Sequence, residues 1–115
     1  MPLIKITSSV ELPADKRDAL LVAVSKAASA VTGKPERYMM VTLESGAFLF
    51  DAKTGPGAYV DVRAIGGLTP EVNGKLSAQL CTLLKQTLGV PGERIYLTFT
   101  EVAGTNWGHN GKTFG

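Results

Sequence analysis

Gly33-Lys34-Pro35-Glu36-Arg37-Tyr38 and Gly89-Val90-Pro91-Gly92-Glu93-Arg94-Ile95 carry one order of signals: a glycine that ends a helix, a proline that redirects the chain, and a Glu-Arg pair feeding an apolar run. The opening before each glycine repeats too. Leu12-Pro13-Ala14-Asp15 leads into the first helical stretch and Leu68-Thr69-Pro70-Glu71 into the second, so each starts with proline and an acid, where a helix needs no N–H and favours negative charge. The prolines lie 57 positions apart and the glycines 56, which reads as two copies of one unit.

Hydrophobic periodicity fills in that unit. Leu20, Val24, Ala27, Ala28 and Val31 share one helical stripe, and Val72, Leu76, Leu80, Leu83, Leu84 and Leu88 share the other. Strands are predicted before the helices, over 3–7 and 58–65, and after them, over 38–43 and 94–100. The outcome is β-α-β twice, with the parallel right-handed crossovers that such units adopt. A short extra strand is expected over 47–50, and 51–57 reads as loop. The predicted fold is therefore α/β (α+β): one domain over 1–115, with a four-stranded mixed sheet and two helices on one face.

Alternation sorts the strand residues into faces. Ile4, Ile6, Met39, Val41, Leu43, Val60, Val62, Ile95, Leu97 and Phe99 form an apolar side that suits packing under the helices. Leu3, Lys5, Thr7, Tyr38, Met40, Thr42, Tyr59, Asp61, Arg63, Tyr96, Thr98 and Thr100 form a mixed side. Two helices cover only one side of such a sheet, so the mixed side either meets another subunit or faces water with scattered apolar residues; pattern alone leaves both open.

Composition narrows the function classes. With 115 residues, 44% hydrophobic and 19% charged, the chain is too apolar for disorder and has material for a packed core. Twelve basic and ten acidic residues are interspersed, which argues against a nucleic-acid or polybasic membrane surface. Lys5 and Thr7-Ser8-Ser9 interrupt the start, leaving no signal-peptide run, so a cytoplasmic location is expected. Cys81 stands alone and His109 is the only histidine, so no disulfide and no ordinary zinc cage is expected. Cys81 falls within the second helix and reads as a small core residue.

Few residues carry chemistry by type alone. A small residue after the initiator lets methionine be removed, which would leave Pro2 with a free secondary amine, a general base or nucleophile if its pKa falls toward neutrality. Lys34 leaves the first helix either as a dipole partner or as the cation that lowers that pKa and holds an enolate. Ile65-Gly66-Gly67 is either a turn or an exposed amide that receives an anion. Tyr38 and Tyr96 offer hydroxyls or aromatic walls. Gly111-Lys112-Thr113 is no phosphate loop, because Asn106 stands where glycine is required and no helix follows.

Met1-Pro2, Thr32-Gly33-Lys34-Pro35, Ile65-Gly66, Arg94-Ile95-Tyr96 and the terminal Asn106, Gly108, Asn110 and Thr113-Phe114 together resemble the macrophage migration inhibitory factor family of the tautomerase superfamily, on its non-vertebrate or microbial side. The resemblance covers essentially the whole chain. It implies a homotrimer with active sites at subunit boundaries, which would bury the mixed sheet face. It implies keto-enol tautomerisation of phenylpyruvate-like α-keto acids, with dopachrome-type surrogates and no cofactor. Pro2 then resembles the catalytic proline, Lys34 the cation beside it, and Ile65 the residue whose amide binds substrate. Tyr96 resembles the aromatic supplied by the neighbouring subunit, and Tyr38 and Phe114 resemble pocket walls. Thr98 replaces a family asparagine, Trp107 a smaller residue, and His109 stands where a tryptophan wall is frequent. Arg63 either adds a carboxylate contact at the site's edge or forms an inter-subunit ion pair with an Asp61-type partner. Gly57-Ala58-Tyr59-Val60 replaces the Cys-x-x-Cys pair of the animal cytokines, which excludes a thiol-disulfide activity of that kind. The alternative implied by the family is a cytokine-like binding protein with an unidentified receptor, secreted without a signal peptide, whose tautomerase activity is vestigial.

Overall fold

Each helix ends on a glycine in the left-handed region, Gly33 at φ 72° and Gly89 at φ 69°, and each of these donates its N–H to a carbonyl one turn back, on Ser29 and Lys85. Glycine takes that conformation without the steric cost a Cβ brings, so these two residues fix where the chain leaves each helix. The computed structural model describes residues 1–115. In chain order it contains β1 (Pro2–Ser8), α1 (Ala14–Thr32), β2 (Met40–Ser45), β3 (Leu49–Phe50), β4 (Lys53–Thr54), β5 (Ala58–Ala64), α2 (Pro70–Leu88), β6 (Ile95–Glu101), β7 (Gly108–His109) and β8 (Lys112–Thr113). Pro70 opens α2 at its first turn behind Thr69, whose hydroxyl accepts from the Val72 N–H at 3.2 Å; Pro13 precedes α1 without such a cap.

The main sheet runs β2-β1-β5-β6. β1 pairs parallel with β2 and β5 parallel with β6, while β1 and β5 meet antiparallel in the middle, so two β-α-β units join along their first strands. Register places Pro2 opposite Ala64, and Ala64 opposite Glu101. Ile4, Ile6, Val60, Val62 and Ile95 are buried on one face with Leu20, Val24 and Ala28 of α1 and Leu76, Leu80, Leu84 and Leu88 of α2. Residues four apart on each helix thus point at the same sheet face, and each buried leucine contributes about 1.5–3 kcal/mol by leaving water. Ala27 and Val31 are only half-buried, at the margin of the stripe. Neither helix is long and apolar enough to cross a membrane.

The opposite sheet face is open in the single chain, with Met40 61%, Tyr96 66% and Tyr59 37% exposed. Several boundaries differ from expectation. Tyr38 and Arg94 do not begin strands; they close single 3-10 turns over Glu36–Tyr38 and Gly92–Arg94. The cause is local: extended Pro35 and Pro91 accept from the Tyr38 and Arg94 N–H groups, and the strands start only after that turn is closed. The expected strand over 47–50 shortens to Leu49–Phe50, and the expected loop returns as Lys53–Thr54 to pair with it. Ile65 lies just past the end of β5 rather than within it.

Candidate active site

Pro2 is buried at the first position of β1. Beside it, β5 ends at Ala64 and two consecutive left-handed glycines, Gly66 at φ 71° and Gly67 at φ 83°, turn the chain away. Ile65 is left between strand and turn with both peptide groups directed to other segments. Its N–H reaches the Met1 carbonyl at 3.4 Å, a long and weak bond, and its carbonyl accepts from Lys34 Nζ at 2.8 Å.

Lys34 is aimed there by its backbone. The Thr32 hydroxyl accepts from the Lys34 N–H at 3.2 Å, and the Ser29 hydroxyl donates to the Lys34 carbonyl at 2.6 Å. Its side chain then crosses Gly67, where an added Cβ would stand 3.1 Å from Lys34 Cε. Glycine at 67 therefore satisfies both a positive φ and a close approach. The chain-terminal amine of Met1 titrates below its ordinary value, first because burial disfavours its charged form and second because the Lys34 ammonium repels a proton there.

A cavity of about 470 Å³ opens on this corner. Three segments line it: Met1, Pro2 and Leu3 from the chain start, Arg37 to Met40 from the turn entering β2, and Trp107, Gly108, His109 and Phe114 from the tail. The tail is held by a hairpin, β7 against β8, whose turn residues Asn110 and Gly111 take φ 51° and 80°. The Phe114 N–H bonds both the Gly104 and Trp107 carbonyls, and the Phe114 ring stacks on His109 with centroids 5.9 Å apart. Arg37 lies over the Tyr38 ring, 4.6 Å from its centroid, and donates to the Tyr38 hydroxyl at 3.2 Å. The chamber is thus mostly aromatic and apolar, with a guanidinium on its wall; Lys34 and Ile65 do not line it, and the Ile65 peptide connects to it through the Met1 carbonyl.

Of the residues singled out by sequence, the structure brings Pro2, Tyr38, Trp107 and Phe114 to one cavity and joins Lys34 to Ile65 at its edge. Arg37, Met39, Met40 and His109 line it too, beside Met1, Leu3 and Gly108. The first three gave no functional signal in sequence, since a charged residue in a turn and methionines entering a strand are ordinary.

Tyr96, Thr98 and Arg63 do not join this cavity within one chain. Tyr96 sits opposite Tyr59, at the other end of the strands from Pro2, with its ring edge-on to Phe50 at 4.8 Å. The Thr98 hydroxyl bonds the Tyr59 hydroxyl at 2.6 Å. Within this chain Arg63 pairs with Asp61 of its own strand at 3.2 Å; the hydrogen bond it donates to that carboxylate, and then the carboxylate's charge, raise the guanidinium's pKa. Cys81 is half-buried against the core, and burial raises its thiol pKa. No three His, Cys, Asp or Glu side chains come together closely enough to hold a metal ion.

Comparison with known proteins agrees with this architecture. The family described as "Macrophage migration inhibitory factor (MIF)" matches residues 1–115. The chain is 33% identical to a macrophage migration inhibitory factor homolog of Trichuris trichiura, over 99% of this chain and 100% of that protein. A crystal structure of the homologue from Prochlorococcus marinus superposes with a TM-score of 0.93 at 39% identity, covering 98% of this chain and 99% of that one. A protein whose crystal structure was solved after inactivation by 2-oxo-3-pentynoate superposes with a TM-score of 0.85 at 26% identity, over 96% of this chain and 94% of that one. A full-length family match, an identity above that of chance, and a shared fold with both β-α-β units in place lead to one conclusion: the chain belongs to the macrophage migration inhibitory factor family.

Proposed function

We propose that this protein is a cofactor-independent keto-enol tautomerase of phenylpyruvate-like α-keto acids, with dopachrome-type compounds as surrogate substrates and Pro2, freed of Met1, as its general base and acid. The observation that carries this reading is the Met1 carbonyl on the Ile65 N–H, next to a lysine-held carbonyl. Removing Met1 would turn the buried Pro2 nitrogen into a secondary amine and leave the Ile65 N–H without a partner. A carboxylate or carbonyl oxygen of the substrate would take the place of the Met1 oxygen.

The chemistry then needs two proton movements. The Pro2 amine takes a proton from the carbon next to the keto group, the electron pair forms the enolate, and the same proton returns to oxygen as the enol forms. Burial and Lys34, which lower the Met1 amine, would favour the unprotonated form of the Pro2 amine in the same direction, and Lys34 opposes the negative charge that develops in the transition state. Tyr38, Trp107 and Phe114 would hold the aromatic end. The acetylenic α-keto acid that inactivates a relative of this chain supports the substrate class.

In this reading the chain folds as one domain and assembles as a homotrimer, so that a neighbour's Tyr96, with Thr98 and Arg63 on the same open face, completes each cavity. The exposure of Tyr96 and its distance in register from Pro2 support that arrangement. The test is the interconversion of phenylpyruvate tautomers by protein lacking Met1, by protein retaining it, and by Pro2→Gly. Loss of about 100-fold or more is expected in the latter two, the scale at which general-base catalysis operates. Equal rates in all three would end the proposal, and a clean 12.1 kDa species at micromolar concentration would end the trimer.

A further inference from the structure

Four arginines are present, and three have anionic or carbonyl partners. Arg17 pairs with Asp18, Arg63 with Asp61, and Arg94 donates to the carbonyls of Phe50, Lys53 and Pro56. Arg37 is the exception. Its only hydrogen-bond partner is the Tyr38 hydroxyl, and no carboxylate lines the cavity it faces. The adjacent acid is turned away: Glu36 Oε1 accepts from Ser25 Oγ of α1 at 2.9 Å. The turn that presents Arg37 is fixed on both sides of it, by the Tyr38 N–H on the Pro35 carbonyl at 3.1 Å and the Met39 N–H on the Glu36 carbonyl at 2.9 Å.

A guanidinium carries five N–H donors in a planar fork that matches a carboxylate, and here most of them are free beside a mostly apolar chamber. In the proposed reaction Lys34 and the Ile65 peptide serve one anionic group at the Pro2 corner, where Lys34 gives one of its three ammonium donors to the Ile65 carbonyl. Arg37 enters the cavity from a different segment, three residues before Met40, which pairs with Leu3, the neighbour of Pro2. We propose that Arg37 is a specificity-determining residue, selecting α-keto acids that carry a second carboxylate at the end remote from the keto group. This rests on the tautomerase reading for the reaction, but its recognition step is a binding event that can be measured alone.

The probes are phenylpyruvate and para-carboxyphenylpyruvate, assayed with native full-chain protein, Arg37→Gln and Arg37→Lys. Native protein is expected to show a KM for the dicarboxylate about tenfold below that for phenylpyruvate, as a charge-assisted bidentate contact gives. Arg37→Gln should abolish that ratio, with its effect in KM rather than kcat, and Arg37→Lys should restore part of it. Titration with para-carboxycinnamate against cinnamate, which have no keto group to enolise, should show the same Arg37-dependent ratio. An Arg37-dependent binding preference without turnover of either keto acid would sink the tautomerase reading while upholding this one. A native ratio near one, or a ratio unmoved by Arg37→Gln, would overturn the assignment of Arg37, because a merely structural role over Tyr38 moves both ligands together.

Discussion

After α1 the helix-ending glycine is followed by Lys34, which stretches across Gly67 to the Ile65 carbonyl; after α2 the same place is held by Val90, which is completely buried. The Glu-Arg pairs diverge in the same way. Arg94 fastens the β3–β4 hairpin through three carbonyls and lies over the Phe50 ring, whereas Arg37 touches only a tyrosine and faces a cavity. The two units share their C-terminal glycine caps, 3-10 turns and strand pairing, so the backbone leaving each helix does not separate them. What separates them is whether the polar side chains are consumed. In the second unit Arg94 is spent on the scaffold, and in the first Lys34 and Arg37 keep donors for a ligand.

Exchanging residues between the units should break that contrast unequally. The largest effect is expected for Val90→Lys, which would force an ammonium into the core and reduce stability by about 4 kcal/mol in urea unfolding; a loss below about 1 kcal/mol would show that the second unit tolerates the first unit's chemistry. The reverse exchange, Lys34→Val, should reduce kcat/KM for phenylpyruvate about 100-fold, as loss of a charge-stabilising donor does, while leaving the thermal midpoint little changed. A midpoint that collapses with activity would assign Lys34 to the scaffold instead. Arg94→Ala should cost about 1–2 kcal/mol and expose residues 49–57 to proteolysis, because three carbonyls lose their donor together. Identical proteolysis of native and variant protein would remove the distinction between an anchored and a free arginine.

Much of the fold was legible because its signals are local and of high contrast. Pro13 and Pro70, Gly33 and Gly89 mark helix ends by backbone chemistry that tertiary contacts do not override. Alternation assigned Ile4, Ile6, Val60 and Val62 to the covered face, since a slip of one residue would expose all of them. The β3–β4 turn was not legible. Asp51 and Ala52 take φ 54° and 56°, and alanine there gives no sign of a left-handed turn. The tail hairpin did leave a signal in Asn110-Gly111, the pair that favours such a turn, and it could have been read as one. In the candidate site, Pro2, Lys34 and Ile65 were picked out as residue types whose value depends on meeting, and the meeting needs Pro2 opposite Ala64 and a 31-residue span between Lys34 and Ile65. Arg37 was not picked out, because what sets it apart is the absence of a partner in three dimensions.

The most direct measurement is a titration of the Pro2 nitrogen by NMR in protein lacking Met1, beside an unstructured peptide with the same first residues. Burial and the Lys34 ammonium, which lower the Met1 amine in the unprocessed chain, are expected to hold the Pro2 amine below the peptide's value as well. The phenylpyruvate rate should then rise with pH through that midpoint and level off above it, and Lys34→Ala should move both the titration and the rate limb to higher pH. A Pro2 nitrogen that titrates with the peptide and ignores Lys34 would contradict the account.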